Sequence, residues 1–166
     1  MINTILFASD MGAYTSFLLH HVNTLAEQNN ARIVVLHVVE PPSLAAEAMV
    51  KACLPQDQQN VFHVASMSQL MGQIKSRIVD MLEDEFIDGQ AGLSRIDHVK
   101  VISGQPVDAI LEQAKAHHAD LIVMGSHTQN STNPSLLGSV TAKVLQLSRI
   151  PVYMVPLFRL PLAKTG

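Results

Sequence analysis

The chain is 166 residues long, 48% apolar and only 15% charged, enough for one well-packed core and too apolar for a disordered chain. Eleven Lys+Arg against fourteen Asp+Glu leave a net charge of −3, so no basic excess exists to hold nucleic acid or an anionic membrane surface. The one cysteine, Cys53, excludes an internal disulfide framework and a Cys-rich zinc site. No apolar run approaches the ~20 residues of a membrane span. The opening stretch Met1 to Asp10 lacks the basic-apolar-small order of a signal peptide, so a cytoplasmic location without membrane insertion is expected.

In chain order, the first apolar run is Ile5-Leu6-Phe7-Ala8, followed by a helical stripe at Leu18, Val22 and Leu25. Ile33 to Val39 is the second run. Four of the five runs are near-continuous and rich in β-branched residues, the pattern of strands covered by helices on both sheet faces. A long second crossover follows, with Pro41-Pro42, a helix-like piece from Leu44 to Cys53, and a Gln/Asn-rich turn from Gln56 to Asn60. Only then does a Met-lined helix begin, with a stripe at Met67, Leu70, Met71, Ile74, Ile78, Met81 and Leu82. Residues 43–66 stand out as an insert, read as passive elaboration or a dimer-facing surface.

The third run, Val99 to Ile102, alternates more, from Ile96 through Val101, in the manner of an edge strand. Pro106 opens the next helix, whose stripe is Val107, Ile110, Leu111 and Ala114. Leu121-Ile122-Val123-Met124 is the fourth run. Pro134 precedes a last stripe at Leu137, Val140, Val144 and Leu147. Pro151 ends that helix and opens the final run, Val152 to Val155, consistent with an edge position. All four stripes are expected to be core. The order β-α-β-(insert with α)-β-α-β-α-β demands a parallel sheet with right-handed crossovers. One domain is expected over residues 1–157, with 158–166 as a tail.

In an open parallel sheet a ligand lies beyond the carboxyl ends of the strands, where the strand order reverses. After strand one comes Ala8-Ser9-Asp10-Met11-Gly12. Asp10 has two readings here: acceptor for ribose hydroxyls, or N-cap of the first helix. After strand four comes Gly125-Ser126-His127-Thr128, then a polar loop leading to Gly138-Ser139-Val140. Gly125 would let a backbone approach a ligand closely, and the helix start at Gly138-Ser139 would offer N–H groups to phosphate. The paired histidines His20-His21 and His117-His118 are read as surface residues, because neighbours on a helix diverge by about 100°. His37 is read as a hydrogen-bonded core residue. His127 has no partner arrangement in sequence that marks it as a catalytic base. No GxSxG elbow and no GxxxxGK[ST] phosphate loop is present.

The stretch Asp120 to Pro156, DLIVMGSHTQNSTNPSLLGSVTAKVLQLSRIPVYMVP, resembles the C-terminal half of the universal stress protein family. Nucleotide-binding members carry Gly, two residues, Gly, nine residues, Gly-Ser/Thr. Here the frame runs Gly125, two residues, Thr128, nine residues, Gly138-Ser139, with Thr128 replacing the middle glycine. ILFASD and Leu36-His37-Val38 match the family's first and second strand ends. The resemblance implies an α/β, Rossmann-like fold: an open five-stranded parallel sheet of order 3-2-1-4-5 with helices on both faces. It implies Asp10 and Gly125 near a ribose, the Val38 backbone at adenine, and Gly138 and Ser139 at the phosphates. Ala8, Ser9, Ser126, His127, Thr128 and Val140 complete the implied nucleotide-binding set. The implied ligand is ATP, or AMP or ADP in its place, with Mg²⁺ accompanying a triphosphate. The implied role is a nucleotide-responsive sensor forming a homodimer, with slow ATP hydrolysis as the upper limit of any activity. The competing reading is a dimeric stress adaptor that binds no nucleotide. It draws on Thr128, whose β-branched side chain disfavours positive φ, and on the lack of Lys or Arg from His127 to Thr141. A valine at position 138 is expected to fill the phosphate space and leave the fold intact.

Overall fold

The computed structural model describes residues 1–53, 56–85, 93–127 and 137–157. Five parallel strands, β1 (Thr4–Ala8), β2 (Arg32–Val39), β3 (Ile96–Ser103), β4 (Leu121–Gly125) and β5 (Val152–Val155), form one sheet of order β3-β2-β1-β4-β5. The helices described between them are α1 (Thr15–Asn29), α2 (Leu44–Cys53), α3 (Gln56–Glu85), α4 (Pro106–Ala116) and α5 (Ser139–Leu147). The period-2 geometry of the strands sends alternate side chains to opposite faces. Ile5 and Phe7 of β1 join Ile33 and Val35 of β2 and Val123 of β4 against Leu18, Leu19 and Val22 of α1 and Ile78 and Leu82 of α3. Leu6 and Ala8 join Val34, Leu36, Ile122 and Met124 against Ile110 and Ala114 of α4 and Val144 of α5. Every residue of β1 is buried, which explains its unbroken apolar run. At the edge, β3 leaves Asp97 and His98 exposed, and its sequence alternates for that reason.

Two expectations about helices are corrected. Gln56 to Asn60 is the first part of α3, not a turn: Gln is a good helix former, and the segment contains no glycine or proline. The stripes are not core throughout, since Leu70, Leu137 and Leu147 are exposed. Length is the reason for α3. Its 30 residues span roughly 45 Å, whereas strands of 4 to 8 residues span roughly 13–26 Å, so only its C-terminal part reaches the sheet. Leu147 lies in the last turn of α5, and Leu137 lies ahead of its first. Pro106 opens α4 as expected, and no described helix is long and apolar enough to cross a membrane.

The first strand is tied to β4 from below by Asp120. Its carboxylate accepts the Asn3 N–H at 2.8 Å and the Thr4 N–H at 3.1 Å. These two backbone bonds hold the carboxyl below the usual carboxylate range. His117, the C-cap of α4, is held below the usual imidazole range by burial first and by Lys100 second. Both shifts are downward, so both contributions to stability are present at neutral pH and are lost on acidification. We expect stability to fall first as pH drops below about 6.5 and again below about 4. In urea titrations from pH 8 to pH 3, Asp120→Asn should remove part of the second step and lower Tm at pH 7 by about 2–4 °C. An unchanged acid limb in that variant would contradict the assignment.

Candidate functional site

The β1–α1 turn is built from its own polar side chains. Ser9 Oγ accepts the Met11 N–H at 3.1 Å, and Asp10 Oδ1 accepts the Gly12 N–H at 3.0 Å. Thr15 then closes on the Gly12 carbonyl with its N–H at 3.0 Å and its hydroxyl at 2.7 Å. The network holds Met11 at φ 55°, a left-handed conformation that costs a non-glycine residue about 1–2 kcal/mol. Asp10 therefore does not cap α1, whose N-cap is Tyr14; its short side chain is used one turn earlier, in an Asx-type turn. From β2, His37 Nδ1 donates to the Ser9 carbonyl at 2.9 Å. The carbonyl can only accept, and this sets the hydrogen on Nδ1.

At the other turn, β4 continues past Gly125: the Ser126 N–H donates to the Val155 carbonyl at 2.9 Å. The start of α5 is held against it. The Gly138 N–H donates to the Ser126 carbonyl at 2.8 Å, and Thr141 Oγ1 donates to the Gly125 carbonyl at 2.9 Å. Ser126 Oγ lies 2.9 Å from His127 Nδ1, a hydroxyl partner that sequence reading did not find.

Between the two turns, at the carboxyl ends of β1, β2 and β4, lies a cleft of ≈ 430 Å³. That is within the usual size of a small-molecule site, about 300–1,000 Å³. Of the residues expected from the sequence, Ala8, Ser9, Asp10, Val38, Gly125, His127 and Val140 line it. Ser126, Gly138 and Ser139 sit beside the lining, joined to it by the Gly138–Ser126 bond. Thr128 lies outside the described residues.

Both glycines serve packing rather than unusual backbone angles, since no described glycine has positive φ. A Cβ on Gly125 would stand 2.8 Å from Leu157 Cδ1 and 3.5 Å from Leu18 Cδ1, so the missing side chain makes room for the core. A Cβ on Gly138 would stand 3.1 Å from His127 Cα and 3.3 Å from the Ser126 carbonyl oxygen, so here the missing side chain lets two backbones meet.

Sequence reading missed several lining residues, among them Leu36, His37, Glu40, Pro106, Ile110 and Thr141. Most of these look like core or loop in sequence. Only their place at strand ends or at the first turn of a helix could have singled them out. Asp10 and Glu40 bring two carboxylates to the cleft, and among the described residues no lysine or arginine lines it. Apart from them it is mainly aliphatic, apt for a flat, weakly polar ring. Among the described residues no cluster of three or more His, Cys, Asp or Glu could hold a metal ion.

The pattern of the universal stress protein family matches residues 1–156. The chain belongs to this family. Universal stress protein MJ0577 of Methanocaldococcus jannaschii is 24% identical over 158 residues, covering 93% of this chain and 95% of that protein. The solved MJ0577 structure shares the fold with a TM-score of 0.63, covering 93% of this chain and 96% of that one. Stress response protein NhaX of Bacillus subtilis is 29% identical over 147 residues, 79% of this chain and 84% of NhaX. A universal stress protein solved in complex with cAMP shares the fold at 20% identity and a TM-score of 0.53, covering 93% of this chain and 96% of that one.

Proposed function

We propose that this universal stress protein binds an adenine nucleotide in the cleft between β1 and β4 and acts as a nucleotide-responsive regulator. The observation that carries the reading is the convergence of Asp10, Val38, Gly125, His127 and Val140, from four separate segments, on one cavity of ligand size. The aliphatic walls accept a purine, the Val38 backbone reads its edge, and Asp10 accepts from the ribose. The phosphoryl group lies toward the start of α5, where helix N–H groups without intrahelical partners favour an anion. A fold relative crystallised with cAMP supports the ligand class. Among the described residues the lining holds two carboxylates and no fixed cation; on that lining ATP would need Mg²⁺ for charge neutralisation, and AMP or ADP makes a smaller demand. Slow ATP hydrolysis is the most that this residue set supports.

Titration calorimetry with AMP, ADP and ATP, with and without Mg²⁺, tests the proposal. At a hundredfold excess over Kd the ligand should raise Tm by about 5–10 °C. Asp10→Ala should weaken binding about tenfold. No heat and no thermal shift with any of the three at millimolar concentration would reject it.

A second copy of the chain is proposed as the partner of β5. That strand is a sheet edge on which Tyr153 and Met154 stand exposed. Sedimentation should report a dimer, and Met154→Lys should shift it toward monomer. The dimeric adaptor reading shares this surface and predicts no ligand heat.

A further inference from the structure

The end of β2, from Leu36 to Glu40, forms one wall of the cleft. The Ser9 N–H donates to the Leu36 carbonyl at 3.0 Å, where β1 gives way to its turn. Beyond that point Leu36 and Val38 turn their side chains to the α4 face, against Ile110. Glu40 follows as an exposed residue of the same wall. Its place is fixed by the backbone just before it, because the Gly104 N–H donates to the Val39 carbonyl at 3.1 Å and ties the end of β2 to the end of β3. The wall is therefore aliphatic along Leu36, Val38 and Ile110 and closes on a carboxylate. Pro106, also on the lining, has no N–H to offer beside it. An ionised carboxylate accepts hydrogen bonds and donates none. Asp10, above the end of β1, is already taken up in part by the Gly12 N–H at 3.0 Å. A flat ring lying on the aliphatic wall gains most when its edge at Glu40 carries a donor.

We propose that Glu40 sets the base specificity of the cleft: its carboxylate accepts from the exocyclic amine of a 6-amino purine and rejects a 6-oxo purine, which sets a carbonyl oxygen against it. The inference rests on the adenine-nucleotide reading and adds the side chain that chooses between bases of the same shape. Shape cannot make that choice, because an amine and a carbonyl oxygen at one ring position fill nearly the same space. Hydrogen-bond polarity can: two facing acceptors share no proton and have both given up water. Glu40 is exposed, so water softens the penalty, and the discrimination it gives is about tenfold rather than the roughly 10⁴-fold of an enclosed site.

The experiment compares adenosine with inosine, and AMP with IMP, by calorimetry on the whole chain. The members of each pair carry the same charge, so the repulsion between Glu40 and a phosphate cancels in their ratio. Wild-type protein should bind the 6-amino member about tenfold more tightly. Glu40→Ala should shrink that ratio about fivefold through weaker binding of the 6-amino member. Glu40→Gln, whose amide nitrogen can donate to the 6-oxo group, should shrink it through tighter binding of the 6-oxo member, by about threefold. Both variants change an exposed side chain, so Tm should stay within about 2 °C of wild type. A ratio that survives both substitutions, or wild-type protein that does not distinguish the pairs, would overturn the role of Glu40 and leave the nucleotide reading standing. Wild-type protein that binds none of the four ligands would overturn both.

Discussion

Gly138→Val should destabilise the protein by about 1–3 kcal/mol and weaken nucleotide binding at least tenfold. The cause differs from the one the sequence suggests. Position 138 faces the backbone of Ser126 and His127, with only 3.1 Å from a built Cβ to His127 Cα. Backbone cannot rotate away as the end of a side chain can. Valine would therefore push the start of α5 off the end of β4 and stretch the Gly138–Ser126 hydrogen bond of 2.8 Å. The helix N–H groups and His127 would both move. Thermal melts should show Tm lower by about 2–10 °C. Calorimetry on the folded variant should then show the lost affinity. A variant with wild-type Tm and affinity would show that the approach is not tight. Gly138→Ala should give the same effects at reduced size.

Leu157→Ala should cost about 2–5 kcal/mol, because the side chain is buried in the main core cluster. Gly125→Ala should also destabilise, by forcing a methyl to within 2.8 Å of Leu157 Cδ1. The two should not add. Removing Leu157 opens the space that the Gly125→Ala methyl needs, so the double variant should be more stable than the sum predicts by about 0.5–3 kcal/mol. Urea denaturation of the four proteins closes the cycle. Strict additivity would mean that Gly125 is not glycine on account of Leu157. The cycle bears on the site as well, since Leu157 also holds Ser126 Oγ through its backbone N–H.

The order of elements and the parallel sheet were legible in the sequence, because hydrophobic period is a local property. Ile5 to Ala8, Ile33 to Val39 and Leu121 to Met124 read as doubly buried strands, and they are, except for His37 to Val39, which are only partly buried where they line the cleft. Leu70 and Leu147 misled, because periodicity identifies an apolar face and not whether anything covers it. Asp10 was recognised as a residue of the site region while its local partner was not. An aspartate before a helix satisfies a cap and an Asx turn equally well in one dimension.

What the sequence alone determined is the architecture, the strand order through the family resemblance, and the two turns, after β1 and after β4, that border the cleft. These follow from patterns among residues near one another in the chain. Tertiary structure decided which residues share the cleft, why positions 125 and 138 must be small, and how His127 is held. Those answers depend on contacts between segments far apart in the chain, such as Leu157 against Gly125 and His37 against Ser9. No periodicity encodes such contacts, because packing of the whole chain sets them at once.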